Sequence, residues 1–184
     1  MTVAAVVVWL VLGLVSVGIW WPGPVRWTAA SRPRLVVALV AVLVGTGAVA
    51  LLGALGTGTA GPLAWLAVAC GVLSAVATGN LVTRCVLALA AGSTSRPRRV
   101  QATVLRGGAW IGVLERLALF ATLLAGFPIG MAAIVAVKAF ARYPELKTAQ
   151  ATGAIERFII GTFASLGWAA LCTGVVRVLL RGGS

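Results

Sequence analysis

Six long stretches of this chain are almost free of charge, and short polar or Gly/Pro-rich segments separate them. They run over about residues 3–20, 35–55, 63–91, 108–125, 128–141 and 154–180. A membrane-crossing helix needs roughly 17–25 apolar residues. Five stretches meet that length and the fifth in order falls short of it. The pattern predicts an all-α fold: a polytopic transmembrane helical bundle of about six helices, forming one membrane domain over residues 1–184.

The breaks between the stretches are distinct in kind. After the first, Trp20, Trp21 and Trp27 crowd an interface, where such rings settle, and Pro22 and Pro24 stop the helix. Residues 56–62 form an uncharged Gly/Thr turn. The segment from Gly92 to Gly107 is the most polar, with Arg96, Arg98, Arg99 and Arg106, and reads as a loop. Gly126-Phe127-Pro128 is a tight break, after which the short stretch 128–141 either spans or re-enters. Arg142 to Lys147 is a polar corner around Pro144. The first stretch lacks a basic leader and ends in Trp20-Trp21-Pro22 rather than a small-residue cleavage site, so it is expected to be a retained helix. No internal repeat is visible, and an inverted-repeat transporter finds no support.

Orientation follows from the cations. The linkers after the first, third and fifth stretches carry Arg26, Arg32, Arg34, Arg96, Arg98, Arg99, Arg106, Arg142 and Lys147, whereas those after the second and fourth carry none. Positive loops stay in the cytoplasm. Both termini are therefore expected outside a bacterial plasma (inner) membrane, with Arg177 and Arg181 near the outer face.

Composition strengthens this picture. Hydrophobic residues make up 61% of the chain and charged ones 10%. That balance is outside the range of soluble domains. Most of the cations behind the net charge of +12 lie in the loops, which favours anionic lipid headgroups over nucleic acid as the partner. Arg outnumbers Lys thirteen to two, a bias of GC-rich bacteria. Cys70, Cys85 and Cys172 lie inside apolar stretches with no zinc or redox spacing, so they read as small hydrophobic filler.

Small residues recur at four-residue spacing in two stretches: Ala67, Gly71, Ala75 and Gly79 in the third, with Cys70, Ser74 and Thr78 on the adjacent ridge, and Gly161, Ser165, Ala169 and Thr173 in the sixth. Such ridges let membrane helices approach closely, although an Ala/Gly-rich chain also produces them by chance.

The acids are only Glu115, Glu145 and Glu156; there is no Asp and no His. Glu115 lies deep in an apolar stretch. It is twelve residues before Phe127, and Lys138 is eleven after. At the rise of a helix, both lie ~17 Å from that turn. Arg84 is a second candidate partner. Arg84, Glu115, Arg116, Lys138, Arg142, Glu156 and Arg157 are expected to gather in the cytoplasmic half of the bundle. They form either an ion, proton or headgroup site, or an internal salt-bridge network that fixes helix order, with basic side chains snorkelling outward.

The segments Gly108–Leu117, Ala136–Leu146 and Ile155–Thr162, which carry these charges, resemble a family of bacterial integral membrane proteins of unknown function. The resemblance covers about Gly107 to Leu180. It implies membrane location and a shared charged motif.

Function follows mainly by exclusion. General acid–base chemistry usually draws on His, Asp or Glu, and only three Glu are present. No catalytic triad, zinc ligand set or phosphate loop can be assembled, so neither an enzyme nor a cofactor is expected. Two roles stay open: a non-enzymatic accessory or structural subunit of a membrane complex, and a small transporter or channel using the Glu/Lys/Arg cluster. A membrane-protein partner or a homo-oligomer fits the first.

Overall fold

The structure, a computed structural model, describes residues 7, 9, 11, 32–55, 61–90, 107–148 and 153–181. Among the described residues it is all-α, with five helices: α1 (Arg32–Ala54), α2 (Pro62–Ala90), α3 (Gly107–Leu124), α4 (Ile129–Thr148) and α5 (Ala154–Arg181). Of the first expected span, Val7, Trp9 and Val11 are described and helical. The tryptophans at 20, 21 and 27, the turn at 56–60 and the arginines of the loop 92–106 lie outside the described residues.

Two helices, Pro62–Ala90 and Ile155–Arg181, are long and apolar enough to cross a membrane; Val40–Leu52 within α1 is a shorter apolar run. These two form the centre of the bundle and pack antiparallel on each other. Their register is fixed by contacts that run in opposite directions along the two chains. Gly71 meets Val176, Thr78 meets Trp168, and Gly161 meets Thr83 and Leu87. The expected ridge of α2 is the buried one: Ala67, Cys70, Gly71, Ser74, Ala75, Thr78 and Gly79 are all buried. On α5, Ser165, Ala169 and Thr173 are buried and Gly161 is half-buried. At Gly71 a Cβ would run into Val176 and the Phe120 ring, so the backbone of α2 lies directly against side chains of both α3 and α5. Small residues permit so close an approach of backbone to side chains.

Five threonine hydroxyls are satisfied within their own helices. Thr46, Thr78, Thr83, Thr122 and Thr173 each donate to a carbonyl three or four residues earlier in the same helix. Trp168 Nε1 donates to Thr78 Oγ1 across α2 and α5 at 2.7 Å. Cys70, Cys85 and Cys172 are buried and unpaired, in keeping with small apolar filler.

The α3–α4 connection is a Schellman turn. Gly126 has a φ of 77°. This is a left-handed conformation that favours glycine. Phe127 N–H reaches Thr122 O at 2.8 Å and Gly126 N–H reaches Leu123 O at 3.1 Å. Gly130 then lies against Thr122, where a Cβ would fall 2.6 Å from Thr122 Cγ2. The two helices therefore leave the turn in close antiparallel contact. Arg177 Nη1 approaches Leu123 O at 3.5 Å. A cation there suits the carbonyl-rich end of α3, which gives a structural reason for a basic residue at the end of the bundle expected to be outside.

Two boundaries differ from expectation. Helix α1 begins at Arg32 rather than 35, because Pro33 falls in the first turn, where its missing N–H has no helical partner to lose. The polar corner at Arg142–Lys147 is instead the last part of α4, which runs through Pro144. A proline removes one i→i−4 bond and bends a helix without having to end it. With 20 residues, α4 is ~30 Å long, but it is not one of the two helices both long and apolar enough to cross a membrane. It packs chiefly on α3, and among residues 129–144 all but Gly130, Ile134 and Lys138 are exposed.

Candidate functional site

Glu115 and Arg116 are neighbours in α3, so the helix turns them ~100° apart. The structure gives them different partners. Glu115 faces α4 and forms an ion pair with Lys138 Nζ. Gly130 sets this contact at the near end by letting α4 close on α3, and the matched distances from the turn bring the two charges level. The pair is mostly shielded, with 13% of the Glu115 and 19% of the Lys138 side chain exposed. Among the described residues, Lys138 is the ion-pair partner of Glu115.

Arg116 points the other way, into the junction of α2, α3 and α5, and is 2% exposed. Glycines make room for it. A Cβ at Gly79 would lie 2.7 Å from Arg116 Cδ and 3.0 Å from Nε, so the arginine stem occupies the space that glycine leaves on α2. One turn back on its own helix, Gly112 passes the guanidinium, with Nη2 3.7 Å from where its Cβ would be. From α5, Ser165 Oγ accepts from Nη1 at 3.2 Å. Among the described residues Nε and Nη2 have no partner, and neither does the Thr162 hydroxyl one turn before Ser165. Two nitrogens of one guanidinium on α3 and one hydroxyl on α5 are thus buried without partners. An unsatisfied buried charge normally costs several kcal/mol.

The remaining expected residues do not join this junction. Arg84 is exposed on α2, turned outward from Thr83, which faces Gly161. Arg142 is exposed on α4. Glu156 and Arg157 are exposed in the first turn of α5, where they line a cavity of about 170 Å³ with Leu87, Ala90, Gly153 and Ile160. Glu156 is well placed there, since a helix N-terminus favours an anion. The seven-residue constellation expected from sequence is therefore divided into a Glu115–Lys138 clamp, a buried Arg116 and a polar mouth at the α2–α5 end. The division follows from helical geometry: residues adjacent in sequence diverge around the helix.

What the sequence reading missed is the setting of Arg116, which it placed in a single charge cluster with Arg84, Glu115, Lys138, Arg142, Glu156 and Arg157. The available signal was the pairing of Gly79 with the small ridge of α2 and of Gly112 with Arg116 at four-residue spacing. Both glycines are where a long side chain needs space.

Comparison with known proteins adds no relative: no family model, no curated protein and no solved structure matches this chain.

Proposed function

We propose that this chain is a multi-pass membrane protein of the bacterial plasma membrane, a bundle of about six helices acting as a non-enzymatic accessory or structural subunit of a membrane complex. The membrane reading is supported by the large apolar side chains turned away from the bundle, among them Trp65, Phe140 and Phe163, each more than three-quarters exposed. Water would penalise such a surface, whereas lipid or a partner helix does not. The observation that carries the subunit role is the Glu115–Lys138 clamp. The acid lying deep in the apolar helices is engaged in holding α4 on α3, which makes that charge an architectural element. The positive linkers lie on the cytoplasmic side, with both termini outside and the cationic loops against anionic headgroups.

The buried Arg116 favours a second reading, a small transporter or channel, because intramembrane cations commonly mark solute pathways. Gentle purification from native membranes separates the two. A stoichiometric membrane-protein partner supports the subunit, and a lone homo-oligomer supports transport. Release of the protein by alkaline carbonate would refute the membrane reading itself. Labelling of a cysteine introduced at Pro97 by an impermeant reagent in intact cells, in a background lacking Cys70, Cys85 and Cys172, would overturn the orientation.

A further inference from the structure

The shielded interior of the bundle holds one more cation than it holds anions among the described residues. Glu115 is balanced by Lys138. Arg116, 2% exposed, is left over, and its contact with Ser165 is to a neutral hydroxyl. The charge of this layer is therefore +1.

The unpartnered atoms of Arg116 are Nε and Nη2. Their N–H bonds lie on the same side of the planar guanidinium and form its side-on fork, the edge that grips two oxygens of one anion. Thr162 supplies a further free donor. It departs from the pattern of Thr46, Thr78, Thr83, Thr122 and Thr173, which all donate back to their own helices. Thr162 Oγ1 does not, and the residue is 8% exposed. The two free groups also lie toward the same end of the bundle. The guanidinium leans toward Gly112, one turn toward the start of α3. Thr162 precedes Ser165 toward the start of α5, and the two helices run parallel, as the Arg116–Ser165 and Leu123–Arg177 contacts show.

A cavity lies at that same end of the bundle, between α2 and the start of α5. The cavity of about 170 Å³ is lined by Leu87 and Ile160, and Leu87 also stands 3.6 Å from the place of a Cβ on Gly161, the residue before Thr162. Ile160 is ~7.5 Å along the helix axis from Ser165. Arg157, with Glu156, is at the mouth of the cavity.

We propose that the α2–α3–α5 junction is a binding site for a small monovalent carboxylate, held by the Nε/Nη2 edge of Arg116 and by the Thr162 hydroxyl. The +1 charge selects a single negative charge, the fork selects two oxygens on one face, and the tight packing selects a small ligand. The site goes beyond either role given above and depends only on the bundle as folded.

The test is thermal unfolding and equilibrium titration of the purified full chain with sodium formate and sodium acetate. Ionic strength is held constant with a bulky sulfonate, and sodium chloride is run in parallel. The expected result is a saturable rise in Tm with formate or acetate, larger than with chloride. Thr162→Val keeps the guanidinium and removes one donor, so it should weaken the carboxylate about tenfold, in line with a hydrogen bond to a charged group. Arg116→Gln should abolish the response; should it fail to fold, the Thr162→Val titration carries the test. Absence of a saturable response in the wild-type protein, an equal response to chloride, or an unchanged affinity in Thr162→Val would each overturn the proposal. Carbonate extraction of native membranes reads membrane integration separately, so failure of the site and failure of the membrane reading are distinguishable.

Discussion

Alanine in place of Gly71 adds one methyl group at the closest approach of the three central helices. That carbon would overlap Val176 Cγ2 and lie 3.1 and 3.2 Å from Phe120 Cζ and Cε2, where unstrained carbon contacts lie at ~3.5–4.0 Å. Neither neighbour is a loose chain end. Val176 is 0% and Phe120 2% exposed, so each would have to displace its own surroundings. Overpacking of this kind costs about 1–3 kcal/mol. It is partly masked, because replacing a mid-helix glycine by alanine gains about 0.5–1 kcal/mol. Gly47 in α1 supplies the correction: a Cβ there meets nothing within 4 Å, so Gly47→Ala takes the helix gain with no clash. Subtracting the second variant from the first leaves the packing term alone. For a chain of this size, ~1–3 kcal/mol corresponds to a Tm gap of about 2–12 °C. Thermal unfolding of the two variants and the parent in one detergent, followed by tryptophan fluorescence, measures it. If Gly71→Ala is as stable as Gly47→Ala, α2 does not lie in direct contact with α3 and α5, and the small-residue ridge is compositional only.

Glu115→Gln should lower stability by about 1–3 kcal/mol, below the ~3–5 kcal/mol of a fully buried pair. Both partners retain some exposure, and the freed Lys138 can extend toward polar surroundings. Adding Lys138→Met should recover part of that loss, and a double variant no better than Glu115→Gln would show that the two charges are not coupled. Trp168→Phe removes the hydrogen bond from Nε1 to Thr78 Oγ1 while the Thr78 hydroxyl still donates to Ser74 O. Only about 0.5–1.5 kcal/mol should be lost; a loss several times larger in chemical denaturation would mean that the indole holds α2 and α5 together by packing rather than by its N–H.

Length and chemical type of residue determined much of this protein before any folding. The helices α2, α3 and α5 begin and end within a residue or two of where the apolar stretches do, because Gly, Pro and polar clusters interrupt a helix locally. The Glu115–Lys138 pair was equally legible, since a tight turn with equal arms brings equal depths together. The small-residue ridges of α2 and α5 were readable for the same reason: a four-residue spacing marks one helix face whatever lies opposite. Two features required the tertiary structure. Whether Pro144 ends α4 depends on what surrounds that turn, and α4 carries its helix past it. Which way Arg116 points depends on rotation about the α3 axis. That rotation is decided jointly by Gly79 on α2, Ser165 on α5 and the clamp to α4, three contacts far apart along the chain. A charged side chain in an apolar stretch announces that it must find a setting; only the packing of α2, α3 and α5 decides that Arg116 turns inward and is left with an open edge.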